Sequence, residues 1–289
     1  MINLETAITT SSQHWPGKGI HYRMHPGNIN LLTTAGVDAC ILANNHSMDW
    51  GYAGLRETVR TLIDAGITVS GAGNNLREAA SPAIFETDTG RLLLFSYTTP
   101  DAGTPVNWAA KKHRPGINLL KTLLKRDQHK VIETIVEHRK PGDRVILSLH
   151  WGDNWGYHIP DTHRYFARCI IDAGCADIIF GHSSHHPRGL EVYNNRLILY
   201  GCGDLINDYE GIPGYREYRG DLSLMYFPEV DQTGKLVSLT MTPMHTRRFS
   251  LRKPTKDDHL WLFDRMNEVL RMYDTSISRT TNGDFRLIW

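Results

Sequence analysis

The stretch LANNHSMDWG, residues 42–51, decides how this chain is read. It closes an apolar run, ACILA (39–43), with two asparagines and a histidine. A buried strand that stops at Asn44-Asn45-His46 delivers polar side chains to a sheet edge, where open α/β sheets place their binding sites. The competing reading is a plain turn, because Asn is a common turn residue. The turn reading yields only if other histidines arrive at comparable positions. They do: VILSLHWG ends at His150, and ADIIFGHSSHH ends at His182 with His185 and His186 just beyond.

Around these runs, apolar segments alternate with helical periodicity. AGLRETVRTLIDA (53–65) sets Leu55, Val59, Leu62 and Ile63 on one face and stops at Gly66, which predicts a helix. RLLLFSYTT (91–99) reads as a strand, and residues 118–139 as the longest helix, capped by Asn118 and ended by Pro141-Gly142. HRYFARCIIDAG reads as a helix ending at Gly174, and LEVYNNRLILYG as a β-hairpin turning at Asn194-Asn195. LSLMYFPEV and LVSLTMTPM are strands, followed by a helix over about 256–273 with Leu260, Phe263, Met266, Val269 and Leu270 inward. Strand–helix alternation followed by hairpins predicts one α/β domain over 1–289 with a mixed sheet or two stacked sheets.

The 289 residues suffice for a sizeable core, and 40% hydrophobic with 22% charged residues is ordinary for a soluble globular chain. A net charge of +1 leaves no electrostatic footprint for nucleic acid. No stretch has the length of a membrane span, and the first residues have neither the basic nor the apolar region of a signal peptide. As written, the chain is expected to be cytoplasmic. The four cysteines contain no CxxC pair and suggest neither a zinc knuckle nor a disulfide framework.

Fifteen histidines, three of them at strand ends, point to a divalent-metal site of His, Asn and carboxylate donors. Mixed N and O ligation suits Zn, Mn or Fe better than Mg or Ca. Against this, a lone His150 before Trp151 could be a packing residue, and His185-His186 a solvated turn. Beyond His150, the segment HWGDNWGYHIP supplies Trp151, Asp153, Trp155, Tyr157 and His158, an aromatic wall with polar groups that would suit a ligand cleft. Arg188 could meet an anionic substrate, or stand exposed with no such role.

The pieces NLE, LANNHSMDWGYAGL, GAGNNLREAASPAIFE, SLHWG and GHSSHHPRGLEVYNNRLILY resemble, in order, the CapA (PgsA-like) poly-γ-glutamate capsule proteins of the calcineurin-like metallophosphoesterase superfamily. The resemblance covers residues 3 to about 209; the segment 210–289 matches less clearly. It implies a four-layer α/β/β/α sandwich of the metallo-dependent phosphatase type, with up to two Mn, Fe or Zn ions. On that reading Asn45, His150, His182 and His185 are metal ligands, and Glu5 takes the place of a bridging aspartate. His46 contacts the substrate or protonates the leaving group. The implied function is a metal-dependent hydrolase of a phosphoester or polymer amide, tied to poly-γ-glutamate synthesis or export and acting on an anionic or polyglutamate substrate. The alternative is a non-catalytic accessory protein that binds metal and polyglutamate for capsule synthase subunits. An amidohydrolase-type barrel fits less well, because regular βα units leave no place for the late hairpins.

The chain departs from the family pattern in places. GHSSH is one residue longer than the superfamily's GHxH, so His185 rather than His186 is an inference. Gly203-Asp204 stands where many relatives carry Gly-Asn. The family's first strand, ending in a metal-binding aspartate, lies upstream of NLE, so the sandwich is expected to lack it. The expectation is therefore a longer parent protein, membrane-associated or exported if a leader precedes this start. As written, one metal at most is expected, through Asn45, His150 and His182, with weak or no turnover.

Overall fold

The computed structural model describes residues 1–208 and 214–289, and it is a mixed α/β structure with several multi-strand sheets. The family resemblance weakens near residue 210, a position outside the described residues. The chain divides into two compact units, Met1–Gly152 and Asp153–Trp289.

In the first unit, three short parallel strands, Ile2–Asn3, Ala39–Ile41 and Thr68–Ser70, lie side by side with Ala39–Ile41 in the centre. That central place explains the unbroken apolar run: a parallel strand covered on both faces has no polar side to show. The Gly51–Asp64 helix buries Thr58 and packs Leu55 and Leu62 into the same core as Leu4, Leu42, Met48 and Trp108. Fully burying a leucine contributes about 1.5–3 kcal/mol. Ile63, expected on that face, is instead 58% exposed, since it sits about 100° round the helix from Leu62. A second group of strands joins Gly90–Thr98 to Ala83–Thr87 antiparallel and to Arg144–His150 parallel, with His150 opposite Thr98.

The expected 118–139 helix begins later, at Lys125, and ends at His138. The backbone before it is committed elsewhere. Asn118 N donates to Gly71 O, Leu120 N to Thr98 O, and Thr98 N to Asn118 O. Peptide groups already paired across the fold cannot also close helical turns. Asn118 therefore caps nothing; its Nδ2 donates to Ser96 O at 3.0 Å.

The second unit places Ile178–His182 parallel to Arg196–Leu199, which forms the foreseen hairpin with Leu190–Tyr193. Asn194 and Asn195 both hold positive φ, 48° and 59°, as the twist-matched two-residue turn requires. The Asp161–Asp172 helix precedes this group, and Gly174 beyond it has φ 67°. Leu222–Val230 and Leu236–Arg247 pair antiparallel, and Ser276–Arg279 with Phe285–Ile288 extends that sheet with two strands the pattern reading did not name. The Lys256–Leu270 helix buries Leu262, Met266, Val269 and Leu270. Leu260 is 46% exposed, so the inward stripe runs through Leu262. At 15 residues this helix, not the one before Pro141, is the longest among the described residues.

Candidate functional site

Two neighbouring asparagines at the end of Ala39–Ile41 have opposite surroundings. Asn44 is fully buried and fully used. Its Nδ2 donates to Asn3 Oδ1 (3.0 Å) and Leu4 O (2.9 Å), while its Oδ1 accepts from His46 N and Ser47 Oγ, each at 3.0 Å. It ties the first strand to the strand-end turn. Asn45 Oδ1, by contrast, is buried with no hydrogen-bond partner among the described residues. A buried amide oxygen without a donor costs free energy unless something else satisfies it.

His46 Nδ1 stands 2.7 Å from Asp49 Oδ2. A carboxylate only accepts, so Nδ1 carries the proton toward Asp49. Asp49 has no exposed surface; it takes Tyr22 N on Oδ2 at 2.7 Å and pairs with Lys18 Nζ through Oδ1. Lys18 Nζ also lies 3.0 Å from His46 Nδ1. Burial draws the Lys18 ammonium below its ordinary pKa, against the opposing pull of Asp49. The Tyr22 ring lies 4.2 Å from the imidazole at 32°. Lys18, Tyr22 and Asp49 were not named from sequence. Asp49 was the detectable one, three residues after His46 within the quoted motif; Lys18 lies 28 positions upstream and carries no local signal.

Glu5 Oε2 accepts from Asn3 Nδ2 at 2.9 Å, in the same chain of amides that ends at Asn44. His150 ends its strand with the side chain fully buried, and its carbonyl accepts from Thr99 N (3.0 Å) and Thr99 Oγ1 (3.2 Å). Trp151, read as a cleft wall, is only 2% exposed and packs inward.

In the second unit, His182 is the last residue of its strand. Burial pushes its pKa down to about 3, so the imidazole is neutral. Ser183 after it holds φ 107°, a conformation rare for a side-chain-bearing residue and one that clusters at functional sites. His185 Nδ1 meets Asp204 Oδ2 at 3.0 Å, and Asp204 also accepts from Asn207 Nδ2 at 3.2 Å. Gly203 makes this possible: at φ 75°, a Cβ there would come within 2.8 Å of His186 C and Pro187 N. Asp204, without a role from sequence, is thus the orienting partner of His185. A histidine held by a carboxylate at one nitrogen is the usual form of a metal-ligating imidazole.

The pair His185-His186 is not a solvated turn. His186 is fully buried, with Nδ1 3.1 Å from Pro187 O and its ring stacked on Tyr218 at 4.7 Å and 22°. Burial lowers its pKa to about 4. Arg188 is neither exposed nor pointed at open space. Its Nη2 donates to Asp153 O (2.6 Å) and Trp155 O (3.0 Å), bracing the loop on which the exposed Asp153 side chain sits.

The donor chemistry suits a borderline divalent ion residue by residue: a neutral imidazole at His182, a carboxylate-held one at His185, and an amide oxygen without a donor at Asn45. Among the described residues, no three His, Cys, Asp or Glu side chains stand together as a group able to hold a metal ion. No described helix is long and apolar enough to cross a membrane.

Comparison with known proteins places the chain in a family. The family described as bacterial capsule synthesis protein PGA_cap matches residues 1–209. A probable polyglutamine synthesis accessory protein of Mycobacterium tuberculosis is 41% identical over 276 residues, 94% of this chain and 72% of that one. The PGA biosynthesis protein CapA of Bacillus subtilis is 28% identical over 88% of this chain and 65% of its own length. The capsule biosynthesis protein CapA of Bacillus anthracis is 26% identical over 66% of this chain and 45% of its own. With most of its length matched in this way, the chain belongs to the CapA family of bacterial capsule synthesis proteins.

Proposed function

We propose that this chain serves poly-γ-glutamate capsule synthesis as a metal-dependent hydrolase with the four-layer calcineurin-like sandwich, cleaving a phosphoester or a polymer amide. The observation that carries the reading is the His46–Asp49 pair, a histidine fixed by a fully buried carboxylate beside an amide oxygen that has no donor among the described residues. The metal donors proposed in the first unit are Asn45 and His150, with Glu5 beside them, and in the second unit His182 and His185. When bound, Mn, Fe or Zn would supply Lewis acidity for water and the leaving oxygen.

The chain's own residues do the rest. Protonated on both nitrogens, His46 gives the Nε2 proton to the departing oxygen or nitrogen and is left as the neutral ring, with Nδ1–H still donated to Asp49. Lys18 and Tyr22 N fix both carboxylate oxygens, so Asp49 cannot turn away from the ring. Asp204 orients His185 in the same manner.

The test is hydrolysis of an activated phosphodiester with added Mn. His46→Ala should cut turnover by roughly 10²–10⁴-fold, the usual worth of a general acid, with metal content unchanged. His182→Ala should lower the metal content. Equal metal loss in both variants refutes the separation of roles. A second reading is favoured by the Mycobacterium tuberculosis relative, a probable polyglutamine synthesis accessory protein. On it, the chain binds metal and polyglutamate for synthase subunits without catalysis. Absence of turnover together with retained polyglutamate binding would select that reading.

A further inference from the structure

A cleft of about 740 Å³ in the first unit uses none of the residues of the candidate site. Its walls are the Leu76–Ala80 and Lys125–His138 helices and the loop at Lys112. From the longer helix it takes Lys130, Thr134, Glu137 and His138, positions i, i+4, i+7 and i+8 that share one helical face. Three cations line it, Arg77, Lys112 and Lys130, and none forms an ion pair among the described residues.

The charges are not balanced from within. Glu78 is committed to the start of its own helix, accepting from Asn74 N (2.8 Å), Asn74 Nδ2 (3.0 Å) and Asn75 Nδ2 (2.7 Å). Glu137 is an exposed carboxylate against three cations. Lys130 is the informative one. Burial draws its pKa down, and Arg126 and Lys121 add to that. The nearby Asp127, which pulls the other way, has its Oδ2 taken by Thr122 N (2.7 Å) and Oγ1 (2.9 Å). A partly desolvated ammonium without a paired carboxylate, in a cleft with two more cations, is stabilised by an anion from outside. The volume lies in the range of ligand sites and exceeds what a single small ion fills.

We propose that this cleft is a binding site for an extended acidic chain carrying regularly spaced carboxylates, a segment of poly-γ-glutamate, held by Arg77, Lys112 and Lys130. It deepens the polymer reading above and rests on it for the choice of polymer, but not on catalysis. The site would hold the chain rather than cut it.

The experiment measures fluorescence anisotropy of a labelled poly-γ-glutamate oligomer titrated with the full chain carrying His46→Ala, so hydrolysis plays no part. The Arg77→Gln, Lys112→Gln, Lys130→Gln triple variant should bind roughly tenfold or more weakly. Arg77→Gln and Lys112→Gln alone, both at solvent-facing positions away from the core, should each weaken binding and flatten its salt dependence without affecting folding. Oligomer binding by the triple variant within about twofold of the parent overturns the site. So does inorganic phosphate competing as well as the oligomer, since that would mark a small-anion pocket. A failed hydrolysis assay with intact oligomer binding would remove the hydrolase and leave this site standing.

Discussion

Asn44→Ala and Asn45→Ala, one residue apart, should behave as opposites. The Asn44 side chain makes five hydrogen bonds from a fully buried position: three donated, to Asn3 Oδ1, Leu4 O and, longest at 3.5 Å, Ile41 O, and two accepted, from His46 N and Ser47 Oγ. Each such bond is worth about 1 kcal/mol net, and each partner left buried without one costs about 1–3 kcal/mol. Ser47 Oγ keeps a second bond to Leu42 O, which limits its share. The expected loss for Asn44→Ala is about 3–5 kcal/mol, a large part of a typical domain's stability. Asn45 Oδ1 has no partner among the described residues to lose, so Asn45→Ala should change stability by less than about 0.5–1 kcal/mol while reducing metal binding. Urea unfolding followed by tryptophan fluorescence reads the first quantity, and elemental analysis the second. Equal destabilisation by the two substitutions, or a larger loss at Asn45, would refute the assignment of one asparagine to the fold and the other to the site.

Three further outcomes follow from the geometry. The Arg91 guanidinium, donating from Nε at 3.0 Å and through Nη2, holds the Asp143 carboxyl below the usual carboxylate range. Because the folded pKa is the lower one, this stabilisation is complete above the unfolded value of about 3.9 and is lost as pH falls through the folded one. Asp143→Asn should therefore lower the urea midpoint at pH 7, with the gap to the parent closing in acid; a gap that widens in acid would reverse the sign. Gly203→Ala should destabilise by about 1–3 kcal/mol and loosen His185 from Asp204, seen as a shifted His185 side-chain resonance, because of the 2.8 Å approach to His186 and Pro187. At the hairpin, Asn195→Ala should cost about 1 kcal/mol in thermal stability and Asn195→Gly should not, since φ 59° is strained for alanine alone; equal midpoints for the two variants would count against the turn.

What the sequence determined by itself is what depends on neighbours along the chain. An apolar run such as ACILA fixes a buried strand, an Asn-Asn pair between alternating runs fixes a hairpin, and both stand in the fold. Histidines following such runs were bound to appear at strand ends, as His150 and His182 do. Tertiary structure decided whatever depends on which distant group takes a hydrogen bond. Residues 118–124 carry helix-forming character, yet pairing with Gly71 and Thr98 removed the free peptide groups a helix needs. Arg188 and Trp151 have types that suit a binding surface, but the loop carbonyls and the core claimed them. Lys18 reaches Asp49 across 31 positions, and Asn44 is set apart from Asn45 in large part by contacts with Asn3 and Leu4 some 40 positions away. Side-chain type and spacing are local properties of the chain. Burial and partner choice belong to the whole packed unit, because an interior with no water to spare leaves each polar group only the partners that packing brings to it.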